Sequence, residues 1–250
     1  MRTGGDEIER ASHHSLPALI EIGDVRGDFH MHSTWSDGDD SLEAMIAGAA
    51  ARGGGYGVSP ERLTQQRATV RAIGERYGIH TFCATEVDIL PDGSLDYNDA
   101  ILAELDFVIA SVHSHFSQSS EAMTARLIRV CENQFVNVIG HPTGRTLDGF
   151  PGYTFDYDAV FTAAARTGTA LEIDGQPNRL DLPAHLARRA NELGCILTTD
   201  SDAHRVTDLV HIELAVSQAR RAGLQRADIL NTRSLDEIQA FVANKRRSER

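Results

Sequence analysis

The chain is poor in cysteine, in basic residues and in long apolar runs. Its three cysteines, Cys83, Cys131 and Cys195, are too few and too scattered for a disulfide framework, and each lies in an apolar stretch. They read as buried thiols of a reducing compartment, so a cytoplasmic protein is expected. No apolar run approaches the roughly 20 residues of a membrane span, and the first residues lack the order of a signal peptide. The 24 Lys and Arg residues face 36 Asp and Glu, and the net charge of -12 argues against non-specific binding to a nucleic-acid backbone. Bound divalent cations would reverse that potential locally, so a nucleic-acid substrate stays open. With 250 residues and 41% hydrophobic content, the chain is long enough for one substantial core.

What is present is a pattern of acids and histidines at the ends of apolar runs. An extended run, Val25 to His32, ends in His30-Met31-His32, with Asp37 after a polar turn. Side chains at i and i+2 leave one face of a strand, so both histidines can converge on one ion. Imidazole with carboxylate suits zinc, manganese or iron better than calcium. A lone pair of this kind is weak; two surface histidines are the bland alternative. Further runs end at Glu86, at His113, at His141, at Asp174, and at Asp200, Asp202 and His204. Helical patterns lie between them, at about 42–52, 59–77, 98–105, 119–133, 157–167, 183–193, 209–222 and 235–245. Strands alternating with helices imply a parallel sheet, and ligands at many successive strand ends imply the single rim of a barrel. Six strong strand runs argue for fewer than eight strands. One place breaks the alternation: Arg52 is followed by Gly53-Gly54-Gly55-Tyr56-Gly57, with no strand run between two helices.

His30-Met31-His32, Asp37, Glu86, Ser111-Val112-His113, Gly140-His141-Pro142 and Asp202-Ala203-His204 resemble, in order, the signatures of the PHP (polymerase and histidinol phosphatase) superfamily. The match spans about residues 25–245. Glu86 to Asp96, Gly140 to Arg145 and Asn178 to Leu182 resemble the PHP domain of bacterial family X DNA polymerases, without the polymerase domain. Residues 1–24 are similar to the linker before that domain, leaving 25–250 as a single barrel domain. The resemblance implies an α/β fold, a distorted (β/α)7 TIM-like barrel, holding up to three metals. His30, His32, Glu86 and Asp202 would hold the first, Glu86 with His113 and His141 the second, and Asp37 with His204 the third. The family's Thr-Asp-His strand has no counterpart between Arg52 and Gly57, so one strand is expected to be missing there. Loss of a central strand would open sheet edges, which favours an omitted segment over a true deletion.

The expected function is metal-dependent phosphoester hydrolysis, with manganese or zinc (iron as a further choice), two ions held tightly and the third weakly or not at all. Glu86, His113 and Asp202 are expected to be catalytic, and Arg145 and Arg179 to grip substrate phosphate. The substrate is a nucleic-acid 3′ end, as in a 3′–5′ exonuclease, or a small phosphorylated metabolite, as in a histidinol-phosphatase-like enzyme. A degenerate, non-catalytic metal-binding barrel with a scaffolding role is the third reading. No membrane contact and no definite protein partner is expected. Asp200 is a candidate for orienting a histidine, Asp174 for a supporting acid, His115 for approaching substrate and Trp35 for stacking a base.

Overall fold

The computed structural model describes residues 7–50, 56–57 and 60–247. The strands are β1 (Tyr56–Gly57), β2 (Cys83–Asp88), β3 (Phe107–Ser111), β4 (Val138–Ile139), β5 (Ala170–Asp174) and β6 (Leu197–Asp200). They form one sheet in sequence order, and every pairing is parallel. The helices are α1 (Glu7–Ser12), α2 (Leu42–Ala50), α3 (Pro60–Tyr77), α4 (Asp99–Leu102), α5 (Ser120–Glu132), α6 (Tyr157–Thr167), α7 (Ala184–Glu192), α8 (Ile212–Ala222) and α9 (Leu235–Lys245). The expected helices match these within a few residues, although the 98–105 pattern shrinks to α4 and a 3-10 turn, Val206–His211, precedes α8. The glycines at 53–55 lie outside the described residues.

Two features correct the expected strand plan. The position between α2 and α3 is not empty, since β1 pairs with β2 through Tyr56–Cys83 and Gly57–Ala84. The extended run ending at His32 is a strand position with only a single parallel bridge, Met31 to Ala203, just beyond β6. Side chains replace the missing ladder. Phe29 N donates to Asp200 Oδ1 at 2.8 Å, and Ser201 N donates to Asp28 Oδ1 at 3.2 Å. With β1 to β6 this makes seven strand positions, in sequence round the sheet.

The sheet curls about an apolar interior. Phe29, Ala84, Phe107, Ile109, Val138, Ala170 and Leu230 cluster there with Ile238 and Val242 of α9. Phe29 stacks on Phe107 with centroids 4.7 Å apart. Phe107 and Ala170 begin their strands, so α9 covers the N-terminal end and leaves the C-terminal end for chemistry. A larger core, including Val108, Val130, Phe161, Leu171 and Leu197, lies between the sheet and its helices. Ile20 is buried in that core and its N–H donates to Leu224 O, so this part of the linker-like segment packs on the domain.

Asn231 fastens the histidine-bearing run to β6. Its amide donates to Gly27 O at 2.8 Å and Thr199 O at 2.7 Å, while its oxygen accepts from Thr199 N at 3.1 Å. Asn231→Ala would leave these buried main-chain groups unpaired, at a cost of about 2–4 kcal/mol. A urea melt should show that loss as a lower midpoint; an unchanged midpoint would mean that Asn231 does not hold the run.

Candidate metal centre

Strand ends deliver most of the candidate ligands to one place. His30 and His32 leave the same face of the run beside β6. Glu86 lies within β2, His113 follows β3, His141 follows β4, and Asp202 and His204 follow β6. A tight turn returns Asp37: a Cβ on Gly38 would sit 2.5 Å from Ser33 N, so only glycine allows that approach. The turn brings Asp37 Oδ1 to 2.8 Å from His32 Nδ1.

Glu86 is the centre. Its Oε2 lies 3.3 Å from His30 Nε2 and 3.5 Å from His32 Nε2. Its Oε1 lies 3.0 Å from His141 Nε2 and 3.4 Å from His113 Nε2. One carboxylate thus faces two histidine pairs, one with each oxygen. Asp202 Oδ1 closes the first group, 3.6 Å from His30 Nε2 and 3.2 Å from His32 Nε2. On the far side of His32, Asp37 Oδ2 is 3.6 Å from His204 Nε2. Three sets of donors therefore lie within 4.8 Å: His30, His32 and Glu86; Glu86, His113 and His141; and His32, Asp37 and His204.

These donors fit divalent cations. The Nε2 atoms of His30 and His32 are buried without a hydrogen-bond partner, although they face carboxylates. Without a cation, protons supply the positive charge. Burial opposes a charge on His30, but Glu172, Glu86 and Asp202 hold its pKa well above the ordinary value. Burial also opposes His32, but Asp202 and Asp37 outweigh it and raise that imidazole to about 9. His113 reaches about 9 against burial through Glu86 and Asp88. Burial pushes Glu86 upward, yet His30, His113 and His141 hold it well below the carboxylate range. Burial likewise works against Asp202, and His30 and His32 bring it down to about 2.

The residues that orient this cluster are less visible in the sequence. His30 Nδ1 donates to Glu172 Oε1 at 2.6 Å, and His141 N donates to Glu172 Oε2 at 2.5 Å. Glu172 is fully buried on β5, and sequence reasoning missed it. The signal was a carboxylate inside an apolar run, which burial tolerates only with partners. His113 Nδ1 donates to Asp88 Oδ1 at 2.6 Å; Asp88 stands two residues after Glu86 on the same strand face. Gly140 makes room for the group, because a Cβ there would meet Ser111 Oγ at 2.4 Å and Glu172 Oε2 at 3.4 Å.

Other expected residues fall differently. Arg145 turns away: its Nε and Nη2 donate to the carbonyls of Arg179 and Leu180 at 3.0 and 2.5 Å, and it lines another cavity. Arg179 stays at the rim, with Nε 3.7 Å from Asp174 Oδ2 and 3.9 Å from Asp202 Oδ2. Asp200 orients no histidine ring but accepts from Phe29 N. Asp174 accepts from Gln176 N at 2.6 Å. His115 is exposed, and Trp35 lines the cavity of about 320 Å³ in front of the cluster, with Tyr97, Asp37 and His113.

The DNA polymerase/3′-5′ exonuclease PolX of Bacillus subtilis (strain 168) is 38% identical over 257 residues, covering 97% of this chain and 45% of that protein. A probable phosphatase of Thermoanaerobacter sp. (strain X514) is 31% identical over 183 residues, covering 68% of this chain and 71% of the relative. The chain belongs to the PHP phosphoesterase family. No protein-family model matches it. The fold is shared with the crystal structure of a histidinol phosphate phosphatase from Lactococcus lactis, complexed with zinc, L-histidinol and phosphate. The TM-score is 0.59 at 19% identity, over 80% of this PHP chain and 94% of the other. The PHP chain spans less than half of PolX. Among its described residues no helix is long and apolar enough to cross a membrane.

Because His32 and His113 are both held at about 9, a metal ion must displace protons at pH 7. Metal binding to chelator-treated protein should release protons, and apparent affinity should fall as pH falls below about 9. Calorimetry in two buffers of different ionisation enthalpy measures the number released. Zero release at pH 7 would contradict the charge assignment of the two rings.

Proposed function

We propose that this PHP protein hydrolyses phosphodiester bonds at DNA 3′ ends, using divalent ions held by His30, His32, Asp37, Glu86, His113, His141, Asp202 and His204. The observation that carries the metal assignment is Glu86, one carboxylate facing two histidine pairs at 3.0–3.5 Å. The 38% identity to PolX over 97% of the chain favours the DNA-end substrate. Manganese or zinc is the proposed ion; imidazole and carboxylate donors accept either.

Bound ions would lower the pKa of a water to near neutrality and neutralise the phosphoryl oxygens. The chain's own residues do the rest. Glu86 keeps its two histidine groups at a fixed separation. Asp88 and Glu172 fix the rings of His113 and His30, so that Nε2 of each faces Glu86. Arg179 is the candidate phosphate grip, supported by its part-buried guanidinium beside Asp174 and Asp202. Arg145 is not retained in that role at the cluster, since it turns away to donate Nε and Nη2 to carbonyls beside another cavity. Trp35 and Tyr97 flank the cavity and offer ring faces to a terminal base.

A small-molecule phosphatase is the second reading, favoured by the net charge of -12 and by the modest cavity. A scaffold without catalysis is disfavoured because all eight candidate ligands converge. We further propose two tightly held ions and a weaker third. His32 is the only histidine able to add to Asp37 and His204 among the described residues, and its Nε2 already faces the first group.

Glu86→Gln should lose metal and reduce turnover of bis-p-nitrophenyl phosphate by more than about a hundredfold, the upper range for a group that merely orients a ligand. Wild-type metal content and turnover in that variant would remove the site. For substrate, release of nucleoside monophosphates from an oligonucleotide, falling steeply as salt rises, supports the nuclease. Salt-insensitive release of inorganic phosphate from sugar or amino-alcohol phosphates, with oligonucleotides untouched, would decide for the phosphatase.

A further inference from the structure

We propose that the groove between α7 and α8 binds a phosphate group, at a site separate from the metal cluster. The groove is a cavity of about 350 Å³ lined by Arg145, His185, Arg188, Gln218 and Arg221, with Pro183 and Ala184 at the start of α7. No carboxylate lines it. In a chain with 36 acidic and 24 basic residues, three arginines around one cavity without an acid form a local reversal of charge.

Two observations of different kinds point to an oxyanion. Gln218 is only 9% exposed, and among the described residues its carboxamide has no hydrogen-bond partner, although it lines the cavity. The side chain is mostly buried while it borders the cavity, where a ligand can complete the carboxamide's hydrogen bonds. The other is the N-terminus of α7: Pro183 stands at the cap, and no side chain caps the helix. Leu186 N is already bonded to Pro183 O at 2.9 Å, which leaves the Ala184 and His185 N–H groups of the first turn without intrahelical acceptors and open to an anion.

The arginines are held in place for such a ligand. Arg188 donates Nε to Ala222 O at 2.9 Å and Nη2 to Arg221 O at 3.2 Å, at the C-terminus of α8. Arg145 is held by the carbonyls of Arg179 and Leu180. Arg221 is exposed, and its guanidinium makes no hydrogen bond or ion pair with the described residues, which leaves that group free to grip phosphate oxygens. Through Arg145 the groove is one loop away from Arg179 at the metal cluster. That proximity suits a phosphate of a strand whose end is at the cluster, an extension that rests on the nuclease reading. The groove itself does not depend on it, because a free phosphate or a small phosphorylated molecule has the same chemistry.

The test uses the metal-loaded protein and two probes, inorganic phosphate and a short oligothymidylate, each titrated calorimetrically. Arg221→Glu changes an exposed side chain, and Gln218→Glu turns the unpartnered amide into a repelling charge. Each variant should weaken phosphate binding about tenfold or more, as expected for loss of a charge-assisted hydrogen bond. Turnover of bis-p-nitrophenyl phosphate, which reports the cluster alone, should stay within about twofold of wild type, since neither residue touches it. Parallel weakening of the oligothymidylate supports a strand phosphate; an effect on inorganic phosphate alone supports a small ligand. Unchanged binding of both probes to folded, active Arg221→Glu would overturn the site, even if Gln218→Glu fails to fold. So would wild-type phosphate binding that vanishes when the metals are removed. Loss of turnover on a small diester in the wild-type protein would instead count against the metal-centre reading, so the two failures are distinguishable.

Discussion

Carboxylate charge buried at one end of the sheet is the constraint on which the site depends. Asp28, Glu172, Asp174, Asp181, Asp200 and Asp202 are all buried there, and Glu86 nearly so. Their partners divide them into two sets. Where histidines surround the carboxylate, as at Glu86 and Asp202, burial loses and the group stays charged. Where main-chain amides are the partners, burial wins: Asp28 rises to about 6, and Asp174 and Asp200 rise well above the ordinary range. One oxygen each of Asp174, Asp181 and Asp200 has no hydrogen-bond partner among the described residues. The first set holds cations; the second holds the chain.

That second role explains how an almost unpaired run carries two metal ligands. Ladder bonds are scarce between residues 28–32 and β6, so register has to come from side chains. Asp28 and Asp200 form reciprocal bonds across the gap, and Asn231 adds three more below them. Glu172 then ties His30 to the main chain at His141, which joins ligands from opposite sides of the cluster.

Most of the candidate ligands stood out in the sequence because they lie at or just past an apolar run, where a polar residue begins; Asp37 sits in a turn and Glu86 inside β2. The alternation of strands and helices was legible for the same reason. Glu172 was not, because inside a strand it is indistinguishable by pattern from an exposed acid until its partners across the sheet are known. β1 escaped notice because a tyrosine and a glycine after three glycines carry no periodicity at all; their pairing comes from Cys83 and Ala84. Arg145 was misread because loop position says nothing about direction, and its direction is set by the carbonyls at 179 and 180.

Backbone strain completes the argument. His141 and Asp202, from different halves of the cluster, both have positive φ, 27° and 48°. A non-glycine residue in that region costs on the order of 1 kcal/mol and persists only where its surroundings over-determine it. Those surroundings are visible. Glu172 Oε2 fixes the His141 amide, and Gln176 Nε2 fixes the Asp202 carbonyl at 2.6 Å. Asp174 in turn holds the Gln176 amide. The strained turns re-aim a histidine and an aspartate from the strand direction toward Glu86. The buried acids that look superfluous to catalysis are therefore what keep these two residues from relaxing away from it.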